Sequence, residues 1–164
     1  EHYSTGDLLR AEVASGSALG KQIDGFISKG NLVPLDIVVN AIVSAIKSSP
    51  KDFIIIDGYP RSVEQMSKLD EVLRGDDDVN LSAVIEVCVS EEVAKERVLG
   101  RARGADDNEE VFKNRMAVFS EPIEDIHKFY GDAGVFYSVN GERTVEEIVA
   151  DINAIIAAQI EKLG

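Results

Sequence analysis

Residues 53–61, with the sequence FIIIDGYPR, place an acid and an arginine directly after an apolar run. The apolar run predicts a short strand buried on both faces of a parallel sheet, and Gly58 and Pro60 end it. Ligands of open α/β sheets gather at the carboxyl ends of strands. The carboxylate of Asp57 can hold Mg²⁺ through water there, and the guanidinium of Arg61 can clamp a phosphate. The stretch therefore predicts a phosphate and magnesium site, with a solvated salt pair in an edge turn as the alternative.

Arginines recur beside glycine turns and acid pairs elsewhere in the chain. The stretches are STGDLLR at residues 4–10, RAR at residues 101–103, and DDNEE at residues 106–110 with Arg115 after it. A single arginine is more often a surface residue than a ligand, so the inference depends on the set. In a chain with a formal net charge of −13, a site that gathers several guanidiniums needs a strongly anionic ligand, and polyphosphate fits. Phosphoryl transfer needs such a site, because it relies on positioning and on neutralising charge.

The composition limits the class of protein. At 164 residues the chain is predicted to form one domain, and its net charge of −13 disfavours non-specific binding to nucleic acid or to anionic membrane. No apolar run reaches the roughly 18 residues that a membrane span needs. We therefore expect a cytoplasmic protein with neither nucleic acid nor membrane as a partner. The single Cys88 lies in an apolar run and is predicted to be a buried thiol.

Strands alternate with helices in the predicted order of elements. The predicted strands are His2–Ser4 and residues 53–56, 83–89 and 135–139. The predicted helices are one capped by Thr5, then residues 18–29, 35–48, 62–74, 90–99, a long helix from 108 to 131 interrupted near Pro122, and 144–162. This alternation predicts a doubly wound α/β domain, a parallel sheet with helices on both faces.

Four motifs together carry a family resemblance. STGDLLR, GNLVP at residues 30–34, DGYPR with Gln65 downstream, and DDNEE resemble adenylate kinase, of the short-lid kind shared with UMP/CMP kinases. The match runs from Tyr3 to the final helix. It implies a P-loop NTPase-like fold with strand order 2-3-1-4-5, an NMP-binding flap at residues 4–33 and a short lid at residues 100–107. It also implies a monomer that transfers a phosphoryl group reversibly from ATP to AMP with Mg²⁺ as cofactor, giving ADP.

The resemblance also implies which residues bind AMP. The set is Thr5, Gly6, Arg10, Gly30, Leu32, Val33, Gly58, Arg61 and Gln65. Within it, Arg10 and Arg61 match the two arginines at the α-phosphate, and Gln65 matches the side chain that reads adenine. Leu32 and Val33 match contacts to the adenine and ribose.

A second set of residues is implied for ATP and for the transferring phosphoryl group. The catalytic residues are Arg61, Arg101, Arg103 and Arg115, the ATP-binding residues are Arg101, Arg115 and Gly141, the lid acids are Asp106 and Asp107, and Asp57 stands behind the Mg²⁺ waters. The lid is shorter here than the family's usual short lid. The assignment of Arg103 therefore assumes a deletion in the lid loop.

The family's first strand, P-loop of the GxxGxGK type and following helix, on the order of 30 residues, precede the region that these motifs cover. That strand lies at the middle of the family's sheet. We therefore expect residues 53–56 and 83–89 to face a shared neighbour that these 164 residues do not supply, with no direct ladder between them. We also expect the chain alone to be less active without the P-loop.

Two alternatives to an adenylate kinase stay open at this point. A UMP/CMP kinase is disfavoured by Thr5 and Gln65, because pyrimidine-specific relatives usually carry Ala and Asn at these positions. A non-catalytic nucleotide-binding module would result from a true loss of the P-loop.

Overall fold

The structure is a computed structural model that describes residues 1–101 and 108–163. The strands are β1 (His2–Ser4), β2 (Ile55–Asp57), β3 (Val84–Cys88) and β4 (Phe136–Asn140). The helices are α1 (Thr5–Ala14), α2 (Ala18–Ile27), α3 (Leu35–Ser48), α4 (Val63–Arg74), α5 (Glu91–Arg101), α6 (Glu109–Ser120), α7 (Ile123–Asp132) and α8 (Val145–Leu163). The predicted α/β class is confirmed. No helix in these two ranges is both long and apolar enough to cross a membrane.

The strands form two parallel pairs. β1 pairs with β2, and the register places Ser4 opposite Asp57. β3 pairs with β4, with Cys88 opposite Asn140. Within the described residues β2 and β3 share no ladder with each other, as predicted. The two outer pairs of the expected strand order are thus present as separate two-stranded sheets.

Two strands, β2 and β3, are shorter and more exposed than the sequence predicts. Phe53 lies outside β2, and both Phe53 and Ile55 are 46% exposed. Cys88, predicted to be buried, is exposed. The prediction of burial was wrong because both strands of a two-stranded sheet are edges, and apolar side chains at an edge keep contact with solvent.

Serine side chains cap the N-termini of α1 and α4, the helices beside the two arginine motifs. Ser4 is extended (φ −87°, ψ 120°) and its side chain accepts from the backbone N–H of Asp7, which makes it the N-cap of α1. The prediction that Thr5 is this cap was wrong by one residue, and Thr5 begins the helix. Ser62 caps α4 in the same way by accepting from the N–H of Gln65.

Two apolar clusters hold the elements together. The cluster that joins α1, α2 and α3 contains Leu9, Ile23, Val33, Val38 and Ile42, with Ile56 and Tyr59 packed against it. The cluster beneath α4 and α7 contains Met66, Ile126 and Tyr130. Because Ile56 and Tyr59 near Asp57 pack against the first cluster, the helices of the predicted flap lie against the end of β2.

Candidate active site

The pairing of β1 with β2 brings two arginine motifs to the same edge. STGDLLR begins at the last residue of β1, and DGYPR begins at the last residue of β2, with Ser4 opposite Asp57. Because the strands are parallel, both motifs leave the sheet at its carboxyl end. The structure thus brings Arg10 close enough to Arg61 for the two charges to interact.

Arg10 folds back along the first turn of α1. Its Nη2 lies 2.6 Å from the Asp7 carboxylate, and a Cβ at Gly6 would lie 2.9 Å from the same nitrogen. Glycine at this position therefore leaves room for the guanidinium. Beside it Thr5 is only 4% exposed, and its hydroxyl has no hydrogen-bond partner among the described residues. A buried hydroxyl without a partner is costly, and a ligand group would satisfy it.

The turn after β2 is fixed by hydrogen bonds. Gly58 has a φ of +81°, a conformation that favours glycine, and its carbonyl accepts from Arg61 Nε at 2.8 Å. Gln65 Oε1 accepts from the Arg61 N–H at 2.7 Å, and the Tyr59 hydroxyl donates to the Gln65 carbonyl at 2.6 Å. Gln65 is 4% exposed, so its amide is held in one orientation. Burial, with Tyr130 adding to it, raises the pKa of Tyr59 and keeps its hydroxyl a donor.

Arg61 stands in a cationic centre. The Arg61 side chain is open to solvent on one side, yet the protein packed around it lowers its pKa. The neighbouring charges of Arg115 and then Arg10 lower it further, while Asp57 opposes them. We define the acceptor centre as Arg10, Arg61 and Arg115, three guanidiniums whose charges act at the end of β2. A concentration of positive charge of this kind attracts anions.

A tight turn in the predicted flap packs against α6, the helix that carries Arg115. We call residues 28–31, between α2 and α3, the flap turn. Gly30 in this turn has a φ of +72°, and a Cβ there would lie 3.0 Å from the Val111 carbonyl oxygen and 3.3 Å from Arg115 Cγ. Val33 is buried and Leu32 half-buried just beyond it. The structure therefore places Gly30 against α6, while Val33 contributes to the apolar cluster under α1.

Two of the three residues predicted to bind ATP, Arg101 and Gly141, lie at a separate opening, whereas Arg115 lies in the acceptor centre. Arg101, the last residue of α5, lines an open cleft of about 670 Å³ together with Arg97 and Glu142. Gly141 is buried beside this cleft, where its N–H donates to the Cys88 carbonyl at 2.8 Å. A Cβ at Gly141 would lie 2.6 Å from Val87 Cγ1. The structure therefore brings Arg101 and the turn at Gly141 to the same cleft.

Three predicted site residues lie outside the described residues, namely Arg103, Asp106 and Asp107. Asp57, predicted to act through water on Mg²⁺, is an exposed carboxylate next to the acceptor centre. Among the described residues no group of three or more metal-ligating side chains is present. This donor set fits Mg²⁺, which takes one or two carboxylates and completes its shell with waters and substrate phosphates.

The structure adds residues to the site that the sequence reasoning did not select. Tyr59 holds the Gln65 backbone, and its place inside the DGYPR motif was an available signal. The Glu142 carboxylate is hydrogen-bonded by the side chain and by the backbone N–H of Ser90, just before α5, and these bonds lower the pKa of Glu142. Asn114 contacts the flap turn across more than 80 residues of sequence, and no local pattern marks it.

The comparisons with known proteins agree with this arrangement. The sequence model of the family described as adenylate kinase matches residues 1–135. A Campylobacter hominis protein named adenylate kinase is 75% identical over 159 residues, which cover 97% of this chain and 83% of the relative. Proteins of the same name from Campylobacter concisus (70% identical, covering 97% of this chain and 84% of the relative) and Nautilia profundicola (64% identical, covering 99% and 83%) are similar in the same way. This chain belongs to the adenylate kinase family.

Proposed function

We propose that this protein is an adenylate kinase, which transfers a phosphoryl group reversibly from Mg²⁺-bound ATP to AMP and yields ADP. The convergence of Arg10, Arg61 and Arg115 on one centre at the end of β2 supports this proposal most directly. Phosphoryl transfer needs charge to be neutralised and the phosphates to be held in line, and guanidiniums supply both.

AMP is the acceptor in this proposal. Arg10 and Arg61 hold its α-phosphate, and the buried Thr5 hydroxyl is satisfied by the bound nucleotide. The set that binds AMP is Thr5, Gly6, Arg10, Gly30, Leu32, Val33, Gly58, Arg61 and Gln65. Because Gln65 Oε1 is occupied by the Arg61 N–H, its Nε2 remains to donate to a ring nitrogen. A donor at this point suits N1 of adenine and disfavours uracil, whose corresponding nitrogen carries a hydrogen.

ATP is the donor. Arg101 and the turn at Gly141 bind it at the cleft between α5 and the end of β4, and Arg115 contacts the transferring phosphoryl group. Arg103 joins the catalytic arginines, and the lid acids Asp106 and Asp107 orient them. Mg²⁺, when bound, shields the phosphate charge, and Asp57 would hold it through water. All these groups come from one chain, so we expect a monomer to be sufficient.

Closure over the nucleotides is part of the proposal. The flap at residues 4–33 and the lid at residues 100–107 are expected to close over AMP and ATP respectively. Closure would exclude water, which otherwise competes as the phosphoryl acceptor. The packing of Gly30 on α6 supports a closed position for the flap.

A coupled assay with AMP, CMP and UMP as alternative acceptors tests the proposal. We expect turnover with AMP to exceed that with either pyrimidine nucleotide, and EDTA to abolish it. Preference for CMP or UMP would replace the proposal with a UMP/CMP kinase. Nucleotide binding without turnover of any acceptor would indicate a non-catalytic binding module.

A further inference from the structure

Asn114 connects the flap turn to α6 through two hydrogen bonds. Its Nδ2 donates to the Lys29 carbonyl at 2.6 Å and to Asn31 Oδ1 at 2.8 Å. Asn114 is 85 positions from Lys29 and 83 from Asn31 in sequence, so these bonds exist only when the flap turn lies on α6. Both acceptors belong to the turn and the single donor group belongs to the helix.

The Lys29 carbonyl receives no hydrogen bond from the turn itself. It lies beyond α2, which ends at Ile27 with Ser28 as its C-cap, and no backbone N–H among the described residues donates to it. The N–H of Gly30 and that of Asn31 are already used, since they donate to the carbonyls of Ile27 and Phe26. The Asn114 amide therefore satisfies a group that the local turn leaves over.

The packing beside these bonds leaves no spare room. At Gly30, an added Cβ would approach the Val111 carbonyl to 3.0 Å and Arg115 Cγ to 3.3 Å. Val111 itself is buried. The stem of Arg115 thus lies directly against Gly30 of the flap turn.

We propose that Asn114 is a positioning residue for phosphoryl transfer. By docking the flap turn on α6, it fixes the stem of Arg115 and hence the place of that guanidinium in the acceptor centre. This inference rests on the proposed function, because it assigns the docked turn to the AMP-bound arrangement. The two bonds join neutral groups and are individually weak, so the flap can release them to admit AMP and form them again on closure.

The inference is tested with Asn114→Ala and with Asn114→Asp, which sets a carboxylate against two oxygen acceptors. Lys113→Ala is the matched control, because Lys113 is the exposed neighbour on the same helix. Two quantities are measured on the purified protein: hydrogen–deuterium exchange of the flap turn, and the Kd for AMP by calorimetry. We expect faster exchange at Gly30 and Asn31 and a higher Kd in Asn114→Ala. The rise should reach at most roughly tenfold, the factor that corresponds to two net hydrogen bonds formed only when AMP is bound. A larger effect is expected in Asn114→Asp, and none in Lys113→Ala.

Rescue separates positioning from a general loss of stability. Asn31→Lys combined with Asn114→Asp replaces the hydrogen bond between the two side-chain amides by an ion pair. The double variant should recover part of the AMP affinity that Asn114→Asp loses. Recovery supports the proposal, whereas equal losses in the single and double variants overturn it. Unchanged exchange or an unchanged Kd in Asn114→Ala also overturns it.

The same measurements keep this inference apart from the proposed function. If the wild-type protein does not bind AMP, the proposed function fails. Exchange of the flap turn then still decides whether Asn114 docks the turn, because that readout requires no nucleotide. Docking is supported by faster exchange in Asn114→Ala and refuted by exchange equal to that of Lys113→Ala.

Discussion

Replacing Arg61 by methionine should weaken AMP binding and leave the free energy of unfolding without nucleotide almost unchanged. Without ligand, the change removes one hydrogen bond, from Nε to the Gly58 carbonyl, worth about 1 kcal/mol. It also relieves the repulsion of Arg61 by Arg115 and Arg10, which opposes that loss. We therefore expect the free energy of unfolding without nucleotide to change by no more than about 1 kcal/mol.

With AMP present, the wild-type protein should be much more stable than Arg61→Met. A ligand at 100 times its Kd stabilises the folded protein by about 2.7 kcal/mol. Losing a charge-assisted contact to phosphate costs about 1.5–3 kcal/mol, which raises Kd by roughly 10- to 150-fold. For a 100-fold rise, the same AMP concentration equals Kd and stabilises the variant by only about 0.4 kcal/mol. At about 2–4 °C per kcal/mol for a chain of this size, the AMP-induced rise in Tm should shrink by roughly 5–9 °C.

Thermal unfolding with and without AMP measures both quantities. The control is Arg74→Met, because the Arg74 side chain is 76% exposed and pairs with Asp70 at the end of α4, away from the acceptor centre. This variant should keep the full response to AMP. If Arg61→Met keeps more than half of the wild-type response, Arg61 does not bind the AMP phosphate and the assignment of the acceptor centre is wrong.

Three further predictions concern the supports of the site. Gly30→Ala should destabilise by about 1–3 kcal/mol more than Gly16→Ala in urea, because both have a φ near +70° but only Gly30 is packed against α6; equal losses would contradict the packing. Burial, and a nearby carboxylate in addition, raises the pKa of Tyr130 to about 12, so the folded state favours its neutral form. That contribution is present below pH 10 and lost between about pH 10 and 12. Unfolding measured against pH should show this loss together with that of Tyr59, whose pKa is also raised, and Tyr130→Phe should remove the share of Tyr130. Gln65→Leu leaves the Arg61 N–H unpaired and should cost about 1–3 kcal/mol of unfolding free energy, and an unchanged urea midpoint would refute that.

Local chemistry was sufficient to locate most of the helices. The apolar face of residues 35–48 predicted α3, and the helix spans Leu35–Ser48. The interruption near Pro122 is confirmed, since α6 ends at Ser120 and α7 begins at Ile123. Periodicity and proline geometry act within one or two turns, so the sequence is sufficient to predict them.

The exact cap residue of α1 and the burial of the strands could not be predicted in the same way. Ser4 and Thr5 are both acceptable N-caps by type, and the extended backbone of Ser4, set by its place in β1, decides between them. Cys88 and Ile55 lie in apolar runs and yet are exposed. The burial of a strand residue depends on which elements pack against its sheet, and an apolar run does not specify them. These outcomes depend on neighbours that are distant in sequence.

The chemistry of this protein could be predicted from short stretches of sequence, because arginines, acids and glycine turns within a few residues of one another indicate phosphate binding and the adenylate kinase family. Which of these groups act together depends on the fold. Parallel pairing of β1 with β2 places Ser4 opposite Asp57 and so brings Arg10 near Arg61. The contact of Asn114 with the flap turn likewise has no local signature. Register and docking join residues that are 50 or more positions apart, and the energies that select them come from packing and pairing over the whole fold.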